Sequence, residues 1–469
     1  MQKAAGSAVE PAPGMRPAHV CAAVATSLLM TAALILIGDM TKWHLMLMGA
    51  LLFSGAAVFV LMGDILQRLV YFFIMGQMAV ELLGIPLSFL GTTGFALLFI
   101  PLILMCGDSD KINSVPFRRP LALLLMGWLA AFIYVGLFKE DAMMSTSRHN
   151  LQFLLGIGVA YMVFYSLRMK LLDVHRLLFY IALSGLPLIL VTLARYVVKG
   201  DAGMILGDRF GMLASVNPNL IAVYLSMAFP GALFAASYAK WGLAKRALLY
   251  ASAALYLTVI LMTASRSAFL WLPVIAVWFL WRKRSVTLLL GMLAGAAAAF
   301  FTVGSKMVDR MFNPTTTDMM SNFGRFELLK AAFRILEANY YALGIGMNSF
   351  ALSKFDHGYQ SWIEYGKNTG LSSHNAYLEV WMGWGILGII GWLALNIGVM
   401  RALIRNWDDK YDSVSKAVAF ALLSYLLIGL ADSSIASFAI MFPFFILLGA
   451  AFFLIAQKKQ TEGIAEAQK

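Results

Sequence analysis

Apolar runs long enough to cross a bilayer recur along most of the chain, and nothing else in the sequence narrows its fold as far. A membrane-spanning helix needs about 20 mostly apolar residues. Candidate runs lie near 20–38, 43–62, 65–84, 86–106, 120–138, 150–167, 176–198, 217–238, 246–264, 267–282, 286–304, 375–400, 414–431 and 434–456. Only Gly84 and Pro86 separate the third from the fourth, and the 267–282 run is short. The expectation is an all-α polytopic membrane protein with about 12, and up to about 14, spanning helices. Composition agrees: 61% of the 469 residues are hydrophobic and 13% are charged. A soluble domain carries roughly a quarter charged residues, and a chain this poor in charge cannot cover a water-facing surface.

The net charge of +12 sits in short gaps between runs. Rich gaps hold Lys111, Arg118 and Arg119; Arg168, Lys170 and Arg176; Lys240, Lys245 and Arg246; Arg282, Lys283 and Arg284; Arg401, Arg405 and Lys410; and Lys458 with Lys459. Because cytoplasmic loops collect Lys and Arg, these gaps fall on one side when both termini are cytoplasmic. Residues 1–18 then read as a cytosolic tail, 19–304 as a first transmembrane bundle and 305–373 as a large loop on the far side. Residues 374–456 read as the last helices and 457–469 as a second cytosolic tail. No basic, aromatic-interleaved patch points to nucleic acid. Cys21 and Cys106 lie inside apolar runs without CxxC spacing, which argues against a disulfide framework or a zinc site.

Within the large loop, Phe326, Leu329, Phe333 and Leu336 recur at helical spacing over 325–338, with Arg325, Lys330 and Arg334 elsewhere on the wheel. This pattern predicts an amphipathic helix lying at the membrane surface.

Several residues are candidates for chemistry. His374 closes the loop in Ser372-Ser373-His374-Asn375-Ala376-Tyr377-Leu378. The serines are good N-caps, which puts His374 in the first turn of the next helix. A helix N-terminus disfavours the imidazolium, so a neutral imidazole there suits a general base; the alternative is a polar interfacial residue. Arg266, in Ser265-Arg266-Ser267-Ala268 between two spans, reads as an anion clamp or as a side chain snorkelling to headgroups. Arg325, after Gly324, opens the surface helix, where backbone donors and a guanidinium together favour phosphate; the alternative is a solvated charge. Arg209 lies just ahead of Asn217-Pro218-Asn219, where it contacts substrate or pairs with Asp208, and Asn217 reads as a cap of the next helix. Lys139 and Arg148 lie in another expected outer loop, as contacts to sugar or phosphate or as parts of a solvated turn. Gly344-Ile345-Gly346 is a loop turn, since no Walker lysine follows. No DxD-like carboxylate pair in an outer loop offers a divalent-cation site, and Glu81 is the carboxylate placed furthest inside a span.

Three pieces in this order are familiar: Ser265-Arg266-Ser267-Ala268; Gly324-Arg325 with Gly344-Ile345-Gly346-Met347-Asn348-Ser349-Phe350 after it; and Ser373-His374-Asn375-Ala376-Tyr377-Leu378 followed by Gly383, Gly385 and Gly388. With Asn217-Pro218-Asn219 upstream, the chain resembles the bacterial O-antigen ligase and polymerase superfamily over about residues 205–392. The resemblance implies a GT-C-like glycosyltransferase of the inner membrane with its site on the periplasmic side. It implies a polysaccharide on undecaprenyl pyrophosphate as donor and a lipid A–core sugar as acceptor, with no metal, cofactor or nucleotide. It assigns general base to His374, neutralisation of the leaving pyrophosphate to Arg266 and Arg325, and substrate contact to Arg209, Asn217, Asn375, Tyr377, Arg148 and Lys139. The expected state is a monomer among membrane lipids. Rival readings are a polymerase or a protein O-oligosaccharyltransferase of the same superfamily and, from another class, a secondary transporter or lipid flippase, which would place its ionisable groups near the bilayer midplane.

Overall fold

The computed structural model describes Tyr71 and residues 116–138, 140–170, 172–198, 218–238, 241–263, 265, 267–268, 316–347, 349–350, 354, 372–405, 412–432 and 438–467, the backbone alone for some of them. The expected spans before residue 116, the 286–304 run and most of 267–282 lie outside these residues, as do Lys139, Arg209, Asn217 and Arg266. Every element described is helical. They are α1 Arg118–Phe138, α2 Glu140–Arg168, α3 Val174–Leu183, α4 Gly185–Val198, α5 Pro218–Ala235, α6 Leu243–Met262, α7 Thr316–Ile335, α8 Ala376–Arg405, α9 Asp412–Ile428 and α10 Phe438–Ala467. A π-helical turn, Leu336–Tyr340, extends α7. Six of the described helical stretches are long and apolar enough to cross a membrane. The expected total of about 12 to 14 reaches beyond the described residues.

Packing follows the apolar faces. α8 lies along α1, α10 along α2, and α9 along α5, while α5 also packs on α3 and α6. Small residues let α1 and α8 come close: a Cβ at Gly391 would stand 2.5 Å from the Leu124 backbone nitrogen. An aromatic cluster joins α2, α8, α9 and α10. The Phe153 ring meets Trp384 edge-on at 4.2 Å and Phe445 at 5.3 Å, and Tyr425 stacks on Phe444 at 4.3 Å. Such pairs add to the burial of large apolar surface. Two outward stripes remain, Met126, Leu129, Ile133 and Leu137 on α1 and Ile386, Ile390, Leu393 and Ile397 on α8. A water-facing surface rarely exposes stripes of this kind; lipid accepts them.

Three local expectations need correction. The outer loop expected around Lys139 and Arg148 is helical from Glu140 onward, so Arg148 stands within α2. The 176–198 run does supply a candidate span, Val174–Ala194, but as two helices divided at Ser184. Pro187 has no N–H for the Leu183 carbonyl, which ends α3. Tyrosines fill the break, Tyr224 Oη–H donating to Ser184 Oγ (2.7 Å) and Tyr256 Oη–H to the Ala182 carbonyl (2.7 Å). The third correction concerns the surface helix. It starts at Thr316, and its buried face is Leu328, Ala331, Ala332 and Ile335, packed with Leu378 and Met382 of α8. Phe326 (54% exposed) and Phe333 (46%) point away from that contact. Leu336 and Leu329 of the expected face do pack with this cluster, so the buried face is the expected one turned by about one residue toward Leu328 and Ala331.

α8 is broken at Gly385, whose φ of 65° and ψ of −164° lie in a region open only to glycine. The freed groups are paired by the turn after α7. Ile345 N–H donates to the Met382 carbonyl (2.6 Å), Gly346 N–H to Gly383 (3.1 Å), and Ile386 N–H to Ala342 (3.2 Å). Gly344-Ile345-Gly346 is therefore a splice across the broken helix, and Gly344 (φ 78°) would carry a Cβ 2.6 Å from the Met382 carbonyl oxygen. The 386–405 piece of α8 measures ~30 Å, the thickness of a hydrocarbon core.

Candidate active site

The start of α8 is where sequence candidates and structure meet. Asn375 is its cap: Oδ1 accepts from the N–H groups of Tyr377 and Leu378, both at 3.0 Å. Such a cap satisfies two of the four donors that a helix start leaves free. The serines expected as caps stand outside the helix, because Asn375 does their work, and His374 precedes the helix instead of opening it. The end of α9 closes the rest. Ala376 N–H donates to the Gly429 carbonyl (2.7 Å), Asn375 Nδ2–H to Leu430 (3.0 Å), and Tyr377 Oη–H to Leu426 (2.8 Å). Free donors of one helix start thus meet free acceptors of another helix end. This match brings Asp432, just past α9, to His374.

His374 is one of three described non-glycine residues with positive φ, at 54°. That conformation costs a side chain about 1 kcal/mol or more, and here both neighbours impose it. Ser373 N–H donates to Glu379 Oε1 (2.6 Å) and Ser373 Oγ–H to the Asn375 carbonyl (3.1 Å). The imidazole is a quarter exposed, and its Nδ1 lies 3.8 Å from Asp432 Oδ1. That nitrogen is buried and makes no hydrogen bond. The separation is too long for a hydrogen bond and short enough for charge to matter. One ring nitrogen therefore faces a carboxylate inside the protein, while part of the ring meets the exterior.

Beneath this turn are two buried ionisable side chains that the sequence did not single out. Glu379 is 4% exposed and Lys354, within the 305–373 stretch expected as a large loop, is 0% exposed. The two interact electrostatically, and Glu379 also interacts with His374. Burial pushes the Lys354 ammonium down to about 8 against the opposing pull of Glu379. The available signal was Glu379 itself, a charge one turn inside an apolar run.

Other candidates are placed less fully. Arg325 sits well inside α7, so the expected helix-start phosphate site does not form there. An isolated glycine such as Gly324 weakens a helix by about 1 kcal/mol without ending it, and a Cβ at Gly324 would meet open space. Around Arg266, α6 ends at Met262 with Thr263 as its cap, and Ser265 and Ser267 are buried with their Oγ atoms 3.4 Å apart. Helix resumes at Ser267, so the motif marks a break between helices, as its sequence suggests. α5 starts at Pro218, a residue suited to the first helical position. Arg148 is placed by its backbone alone. Among the described residues no three His, Cys, Asp or Glu side chains gather as a cation site.

Comparison with known proteins returns one family. Residues 251–393 match the family model described as O-antigen ligase. The matched segment is under a third of the chain and contains Arg266, Arg325, the Gly344–Gly346 splice, His374, Glu379 and Gly385. No curated protein matches the chain.

Proposed function

Taking residues 251–393 as those of a member of the O-antigen ligase and polymerase superfamily, we propose that the protein is a glycosyltransferase. It moves a polysaccharide from undecaprenyl pyrophosphate to a sugar hydroxyl of lipid A–core at the periplasmic face of a bacterial inner membrane. The observation that carries this reading is His374, held outside the helix with Nδ1 toward Asp432 and part of its ring exposed. A base needs an accessible nitrogen and a partner for the charge it acquires.

In this mechanism the acceptor hydroxyl gives its proton to His374 as its oxygen attacks the anomeric carbon. The bond to the pyrophosphate breaks on the opposite face, and the configuration inverts. Asp432 offsets the imidazolium. Charge developing on the lipid pyrophosphate is met by Arg266 and Arg325, with Arg209 as a third cation, which is how preorganised charge lowers such a barrier. The donor is already activated, so the step calls for no nucleotide and, with arginines at the leaving group, no metal. Arg148, Lys139 and Asn217 are proposed contacts to sugar or phosphate. Asn375 and Tyr377 spend polar groups within the protein, which favours positioning over substrate contact for both.

Cells that lack their own ligase but make donor and core test this directly. Wild type should restore polymer-capped lipopolysaccharide, and His374→Ala at equal membrane level should lower capping on the order of 10²–10⁴-fold, the usual contribution of a general base. Equal capping by both would remove His374 from the mechanism. A wild type that caps nothing but lengthens the lipid-linked donor is a polymerase.

A further inference from the structure

Lys354 and Glu379 are both shut off from water, yet the reaction just described uses neither. A buried ion pair seldom adds stability over apolar residues of the same volume, because removing two charges from water offsets their attraction. A role in stability alone therefore explains poorly why charges stand here. Their placement gives another reason. Glu379 lies one turn inside α8, and its carboxylate reaches back past the Asn375 cap to accept the Ser373 N–H at 2.6 Å. An ordinary capping box returns a side chain to the cap's own N–H. Here the return falls two residues earlier and encloses the one residue between, His374, in its left-handed conformation.

We infer that Glu379 is a positioning residue for His374, with the buried Lys354 as its countercharge. Glu379 fixes the peptide on the N-terminal side of His374, and Asn375 fixes it on the other. The carboxylate also stands where it favours the positive charge that the imidazole gains. Lys354 offers that carboxylate an opposite charge. The inference rests on the proposed function for its catalytic consequence, while its structural part stands apart from it.

Two measurements on the full-length protein decide it. In the first, hydrogen exchange is followed in a peptide covering 372–378. Glu379→Ala should speed exchange there by at least about tenfold while α5 is unchanged, since only the local lock opens. Unchanged exchange at 372–378 would overturn the positioning role, whatever the protein's activity. The second is turnover. Glu379→Gln keeps an acceptor for Ser373 but loses the charge, so kcat should fall at least about tenfold, with KM for the donor within about twofold. Lys354→Met combined with Glu379→Gln should recover thermal stability near that of wild type and remain slow. Recovery of wild-type kcat in the double variant would reduce the pair to a structural one. Absence of transfer by the wild type would count against the proposed function, and the exchange result would still decide the positioning role.

Discussion

His374 illustrates how little of a residue's role lies in its identity. Its chemistry comes from the turn that holds it: Ser373 tied to Glu379 on one side, and Asn375 capping α8 on the other. Asn375 tests that turn at the scale of one side chain. Asn375→Ala removes two acceptor contacts at the helix start and should lower stability by about 1 kcal/mol, read from thermal unfolding in detergent. A loss of that size with a larger drop in transfer would separate positioning from bulk stability. An unaltered melting temperature would mean that Asn375 is not the cap. The histidine was legible in the Ser-His-Asn run, but the cap was given to the serines, since Ser and Asn suit that position equally well by residue type. The partners were not legible. Asp432 was visible only as a charge at the edge of a span, because its approach to His374 depends on the Gly429 and Leu430 carbonyls finding donors 50 or more residues away.

At the scale of elements, the glycines of two motifs prove to be one device. Gly344-Ile345-Gly346 and Gly383, Gly385 and Gly388 were separate marks in the sequence. In the structure the first set splices the break within the second. Gly385→Ala places a Cβ in a backbone region closed to it and against the Ala342 carbonyl. The backbone strain alone is on the order of 1–3 kcal/mol, so the variant should give markedly less folded protein in membranes, measured by fluorescence-detected size exclusion. A variant as abundant and as stable as wild type would mean that the break is dispensable. Hydropathy could not show the break, because its window averages across one residue. The buried face of α7 was misread in part, at Phe326 and Phe333, for a related reason. Phe326 and Phe333 carry the larger hydrophobic signal, yet the shorter Ala331, Ala332 and Leu328 let α7 approach α8 closely.

At the scale of the molecule, apolar runs fixed the class. The 118–138, 218–235 and 376–405 helices fall near expected spans, because a helix in lipid satisfies its own backbone and needs no distant partner. Pairings among helices depend on side-chain fit and were not legible, which is why α1 against α8 or α9 against α5 could not be read in advance. The match of residues 251–393 to the O-antigen ligase family model joins the two levels, since that segment holds the histidine, the break in α8 and the splice.

The most direct test of the account uses purified protein in liposomes with lipid-linked polysaccharide and lipid A–core, in the presence of a chelator and without nucleotide. The account predicts polymer-capped lipid A–core from the wild type and, from His374→Ala, a rate lower on the order of 10²-fold or more. Dependence on added divalent cation, or equal rates from the two proteins, would contradict it.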